Sequence, residues 1–209
     1  MPVPTLRPAD PVQPPGTQRL LPLKIVIAGG FGVGKTTAVA AVSEIKPLST
    51  EEYLTEPGAG VDDLTGLQDK DTTTVALDFG RLSLPDAPIP LELFLFGVPG
   101  QDRFVGLLWE DLARGAVGAI VLVDTRRLDI SFSAVTYYEH LGLPFIVAVN
   151  EFDGAHRYEL EQIRDALGLP GRVPVIALDA RDPVQVASTL LTLVDHASAS
   201  ASASLQDAR

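Results

Sequence analysis

A chain of 209 residues, 46% hydrophobic, with 27 acidic against 16 basic side chains, is long enough for one domain with a substantial core. Its formal charge of −11 argues against a nucleic acid duplex or an anionic membrane as the main partner, because both require a basic surface. The absence of cysteine excludes a disulfide framework, a thiolate metal site and lipid attachment through sulfur, and it is compatible with a cytoplasmic location in which any membrane association runs through partners.

In chain order, Met1–Pro22 holds seven prolines and no apolar run of the signal-peptide kind, so it is expected to be an extended, retained tail. Residues 23–196 then alternate short β-branched runs with segments of helical period, the pattern of a mostly parallel sheet covered by helices. Strands are expected over Leu23–Ala28, Thr74–Leu84, Leu91–Phe96, Val117–Asp124, Pro144–Val149 and Val173–Leu178. Helices are expected over Lys35–Ile45, Phe104–Arg114, Ile130–Leu141, Arg157–Leu167 and Pro183–His196. Gly142 with Pro144, and Gly168 with Pro170, supply helix stops, while Asp182 before Pro183 supplies a helix start. The Ala197–Ser204 alternation is expected to open a flexible low-complexity tail over 197–209. No stretch, Ala116–Val123 included, approaches the ~20 apolar residues a membrane helix needs.

The Lys46–Thr73 connection has no convincing period. Connections that long are usually functional or disordered. It carries seven acids against two lysines, close to half of the net charge.

Chemistry concentrates at Gly29-Gly30-Phe31-Gly32-Val33-Gly34-Lys35-Thr36, which fits G-x-x-x-x-G-K-[ST] between a strand and a helix. Backbone N–H groups of such a loop turn toward phosphate, and the helix that starts there, with Thr37 in its first turn, adds its positive dipole end. Lys35 is expected to reach the outer phosphates and the Thr36 hydroxyl to ligate Mg²⁺. Further along, Asn150-Glu151-Phe152-Asp153 leaves the end of a strand. Asp153 can accept both N1–H and the N2 amino hydrogens of guanine, a donor pair adenine lacks. Asn150 can brace the neighbouring loops, and the Ala180 N–H of Asp179-Ala180-Arg181 can donate to guanine O6. Gly97-Val98-Pro99-Gly100-Gln101 caps the strand beside the phosphate loop. There the Gly100 N–H can bond a γ-phosphate and Gln101 can orient the attacking water. In Thr72-Thr73-Thr74, Thr74 is the choice for a second hydroxyl on Mg²⁺, with Thr73 in reserve; threonine runs also simply favour strands.

The order GGFGVGKTT, TTTVALDFG, FGVPGQDRF, NEFD and DAR resembles that of Ras-like small GTPases across residues 23–196, and most resembles the actinobacterial conservon-type GTPases related to the bacterial gliding-motility GTPases. The resemblance implies an α/β, three-layer P-loop NTPase fold: a six-stranded mixed sheet with one antiparallel edge strand, helices on both faces, and two GTP-gated switches. It also implies bound GTP or GDP with Mg²⁺, a roadblock/LC7-type regulatory partner and a neighbouring sensor kinase-like protein.

Three departures stand out. Gly97 replaces the aspartate that normally holds Mg²⁺ through water. Asp124, on the adjacent strand, is a candidate substitute or a solvated strand-end acid. Glu151 replaces a lysine whose stem covers the purine and whose head tethers the phosphate loop, so weaker nucleotide affinity is expected. Phe31 stands where an arginine finger would approach. The expectation is slow GTP hydrolysis that a partner stimulates; the competing expectations are a pseudo-GTPase that binds nucleotide without turnover and an ATP-dependent P-loop enzyme. His140, His156 and His196 lack metal-ligand spacing, and Arg126-Arg127 fit a solvated strand-to-helix loop better than a contact with a partner or phosphate.

Overall fold

Strands β5 (Gly118–Val123, GAIVLV) and β6 (Phe145–Asn150, FIVAVN) are buried at every position, as expected of central parallel strands covered on both faces. They belong to one sheet of order β2-β3-β4-β1-β5-β6-β7, completed by β1 (Leu21–Ala28), β2 (Leu48–Leu54), β3 (Thr73–Leu84), β4 (Leu91–Gly97) and β7 (Val175–Leu178). The computed structural model describes residues 19–54, 73–100 and 108–207, with only the backbone at 49–54, 73–76 and 207. Gln101 and most of the Lys46–Thr73 connection lie outside the described residues.

Alternation along the strands splits the core. Ile25, Ile27, Leu93, Leu95, Ile120 and Ile146 face α1 (Lys35–Val42) and α5 (Pro183–Asp207), while Val26, Val121, Val147 and Val149 face the side occupied by α2 (Leu108–Ala113), α3 (Phe132–Leu141) and α4 (Leu160–Ala166). This is the three-layer α/β arrangement expected, with helices on both faces and a mixed sheet, and each of the six expected strands is present.

Two segments differ from expectation. The start of the acidic connection forms β2, antiparallel to β3 with Leu48 opposite Phe79 and Leu54 opposite Thr73, so the antiparallel strand β3 is one in from the edge. The free edge of β3 offers unpaired backbone groups that a partner strand satisfies, whatever its hydropathy. At the other end, α5 continues through the Ala-Ser stretch to Asp207 in place of the flexible tail. Alanine is the best helix former and a packed helix removes the nucleation cost; the hydroxyls of Ser200, Ser202 and Ser204, which would otherwise compete for the backbone, are absorbed by carbonyls four residues back. The start of α5 is as expected: Asp182 Oδ1 accepts from the Val184 and Gln185 N–H groups. The third helix begins later than Ile130, after 3₁₀ turns over Thr125–Ser131. Among the described residues no helix is long and apolar enough to cross a membrane.

Candidate functional site

β1 ends at Ala28 in the centre of the sheet, and the chain turns through Gly29–Gly34 into α1. Gly34 has φ +104, and a β-carbon there would stand 2.5 Å from Asn150 Nδ2, so glycine is required by both backbone and space. Asn150, buried at the end of β6, donates through Nδ2 to the Val33 carbonyl at 2.9 Å and accepts the Ala180 N–H at Oδ1 at 3.0 Å. One amide thus holds the phosphate loop, the end of β6 and the turn after β7 in register, which is the bracing role expected of it. The Ala180 N–H, expected to face guanine O6, donates to Asn150 in this arrangement.

Lys35 folds back on its own loop, donating from Nζ to the Gly29 and Gly30 carbonyls at 2.9 and 2.7 Å. Burial pushes its pKa down to about 8, while the charge of Asp78 opposes that shift. Gly100 lies against this loop: a β-carbon there would fall 2.5 Å from the Gly30 carbonyl carbon and 2.7 Å from Lys35 Nζ. The backbone after β4 therefore passes against the phosphate loop and the Lys35 head at Gly100. Its approach is fixed by Trp109 of α2, whose buried indole Nε1–H donates to the Pro99 carbonyl at 3.1 Å and whose ring stacks on Tyr138 of α3. Phe31, at the tip of the phosphate loop, is 70% exposed.

The Thr36 hydroxyl donates to Asp78 Oδ2 at 2.5 Å. Sequence reading passed over Asp78, although an acid inside the Val75–Phe79 strand pattern was the available signal. A hydroxyl and a carboxylate are hard oxygen donors of the kind Mg²⁺ takes, so the residues present fit that ion. Thr74 is not brought to Thr36. It pairs with Tyr53 in β2, four residues beyond Asp78, or about 13 Å along an extended strand. Thr37 lies exposed in the first turn of α1.

At the base end, Asp153 and Arg181 form a bidentate pair, Nη1 to Oδ2 at 2.8 Å and Nη2 to Oδ1 at 3.0 Å, and Arg181 also reaches Asp179. Hydrogen bonds from Arg181 lower both carboxyls, Asp179 to about 2. Glu151 pairs with Arg157 at 2.9 Å and does not tether the phosphate loop. A cation nevertheless reaches that loop, since Arg127 Nη2 donates to the Phe31 carbonyl at 3.0 Å. Arg126 pairs with Asp124 at 2.8 Å and lies over the Phe152 ring, 3.9 Å from its centroid. Both arginines remain exposed, as expected of a solvated strand-to-helix loop, and make these contacts from it. Asp124 is also corrected: it is fully buried and caps the Thr125–Ser131 turns through the Arg126 N–H, so it serves neither as a solvated acid nor as the substitute for the missing carboxylate. Among the described residues no cluster of three or more His, Cys, Asp or Glu side chains could hold a metal, and His140 is engaged with the Thr136 carbonyl.

A glycine-rich loop between a central parallel strand and a helix, closed over by β4 and β6 turns, defines a P-loop nucleotide-binding protein of the G-domain fold. Residues 27–200 match the model of the family described as "Conserved hypothetical ATP binding protein", and the chain belongs to that family. Among solved structures, the G domain of the T. maritima FeoB iron transporter is similar with a TM-score of 0.56 and 18% identity, over 85% of this chain and 99% of that one. None of the curated proteins matches this chain.

Proposed function

We propose that the chain is a guanine-nucleotide switch that hydrolyses GTP to GDP and phosphate, slowly and with stimulation by a partner, in bacterial signalling. The observation that supports this reading is the joining of the phosphate loop, β6 and the turn after β7 by Asn150, with the Asp153–Arg181 pair formed between the segments that follow β6 and β7. The family description speaks of ATP, yet a carboxylate at Asp153 complements guanine's paired N–H donors and faces no such pair on adenine. Lys35 would exchange the Gly29 and Gly30 carbonyls for outer phosphate oxygens. The Gly100 N–H would bond the terminal phosphate, and Gln101, outside the described residues, would orient water. Mg²⁺, held by Thr36, would neutralise the phosphate charge; Thr74 joins it only in a form where the first residues of β3 fold back toward the loop.

A partner is expected because an arginine finger contributes about 10³–10⁵ in rate. The conservon-type resemblance suggests a roadblock/LC7-type protein and a sensor kinase-like protein as partners, with the acidic connection as a surface for a basic one. The pseudo-GTPase reading retains specific support in Gly97 and in Glu151, which is turned to Arg157. Melting and phosphate release separate these readings. Ligand at 100 times its Kd adds about 2.7 kcal/mol, or roughly 5–10 °C for a chain of this size. GDP is expected to give that shift and ADP none; a shift with ADP alone would return the chain to the ATP-dependent class. Phosphate release with partner supports the switch, and its absence supports the pseudo-GTPase.

A further inference from the structure

We infer that Arg127 is a positioning residue of the phosphate loop: from the turn after β5 it holds the Phe31–Gly32 peptide in the orientation that turns the Gly32 N–H toward bound phosphate. Its Nη2 donates to the Phe31 carbonyl at 3.0 Å. In a planar trans peptide the carbonyl and the following N–H point opposite ways, so the bond that draws the Phe31 carbonyl to Arg127 also aims the Gly32 N–H away from it. Gly32 has φ +78 and no β-carbon, which makes rotation of that peptide cheap unless something outside the loop fixes it. Space for the guanidinium is kept by the same glycine, because a β-carbon there would stand 3.2 Å from Arg127 Nη2.

The turn that carries Arg127 is itself anchored. Asp124, directly after β5, accepts the Arg126 N–H and guanidinium at its carboxylate and the Arg127 N–H at its carbonyl. Hydrogen bonds from Arg126 hold the Asp124 carboxyl below its ordinary range, and the charge of Arg127 adds to this without an ion pair between them. At Arg127 the backbone leaves helical geometry, with φ −147 and ψ 60, and the two neighbouring guanidinium groups part, one to the Phe152 ring and the other to the Phe31 carbonyl. Three residues on, the Ile130 side chain fills the space a β-carbon on Gly30 would need, at 2.5 Å from its Cδ1. An apolar contact and a charged donor from one turn thus meet the same loop. Glu151, where a lysine is usual, has no such role: an ionised carboxylate offers no donor to a loop carbonyl, and this one is turned to Arg157.

The inference rests on the nucleotide-binding reading, and two measurements keep their failures apart. Amide exchange over Gly29–Thr36 needs no ligand, and in nucleotide-free protein it is expected to quicken in Arg127→Ala. Release of a fluorescent GDP analogue, followed by stopped flow, is expected to be about 10-fold faster in the same variant, the worth of one hydrogen bond from a charged donor. The melting temperature without nucleotide should stay within about 2 °C, as for an exposed side chain, so a larger fall marks a merely structural role and overturns the inference. Arg127→Lys keeps a charged donor and is expected to recover slow release; Glu151→Lys added to Arg127→Ala supplies a donor from the end of β6 and is expected to do the same. Wild-type release and exchange in Arg127→Ala, or fast release that neither lysine slows, overturns the role of Arg127. Faster loop exchange in Arg127→Ala, in a protein whose wild type binds neither GDP nor ADP, supports the hold on the loop and overturns the nucleotide reading itself.

Discussion

Both acceptor oxygens of Asp153 are taken by the Arg181 guanidinium, whose paired N–H groups present the same donor geometry as N1 and N2 of guanine. Arg181 therefore keeps the carboxylate ionised and aimed, and must yield it when guanine arrives. Arg181→Ala is expected to speed GDP association, measured by stopped-flow fluorescence. Asp153→Asn should weaken GDP binding by about 10–100-fold, since bonds to a charged group are worth about 1.5–3 kcal/mol, while ADP binding stays as it was. The pH dependence has a definite sign. Arg181 holds the Asp153 and Asp179 carboxyls below their ordinary range, so the stability they add is complete above about pH 4 and is lost as pH falls toward 2. In Arg181→Ala both carboxyls rise toward ordinary values and this contribution is gone, which acid melting curves will detect as lower stability above pH 4 and a shallower pH dependence.

Elements transmit the state of the site through few contacts. The segment after β4 meets the phosphate loop at Gly100 and the core at Trp109, and Trp109 is the only tryptophan in the chain. Its emission is expected to differ between GDP and GTP-analogue forms, and Trp109→Phe should remove the signal together with the Pro99 tether. Identical spectra in both forms would mean that this segment does not move. The last turns of α5 stand apart from the site. Ala201→Pro should reduce the helical far-UV signal, because proline removes a backbone donor and clashes with the preceding turn, and leave GDP affinity unchanged.

At the scale of the whole molecule, ligand chemistry gathers at one end of the sheet, where β1, β4, β6 and β7 finish. A cavity of about 670 Å³ lies at the opposite end, between Leu21, Ile89, Leu191 and Val194, and its apolar lining offers no cradle for phosphates. If the chain is a switch, amide exchange across Lys46–Thr73 is expected to differ between GDP and GTP-analogue forms; equal exchange would remove that connection from the mechanism. The alternation of apolar strands with helical periods, the phosphate loop and the Asn150–Asp153 turn were legible in the residues alone, because each is a local pattern imposed by strand pleat, helix pitch or phosphate geometry. The sequence by itself could also show that Gly97 and Glu151 lack the expected charges. Asp78 lies across an antiparallel ladder from Gly97, and Arg127 reaches Phe31 from the turn after β5; both are meetings between segments distant in sequence that only the folded chain makes. Strand β2 and the extension of α5 belong with them: a hydrogen-bonding edge and a helix already nucleated by its packed first turns exist only once the chain has folded.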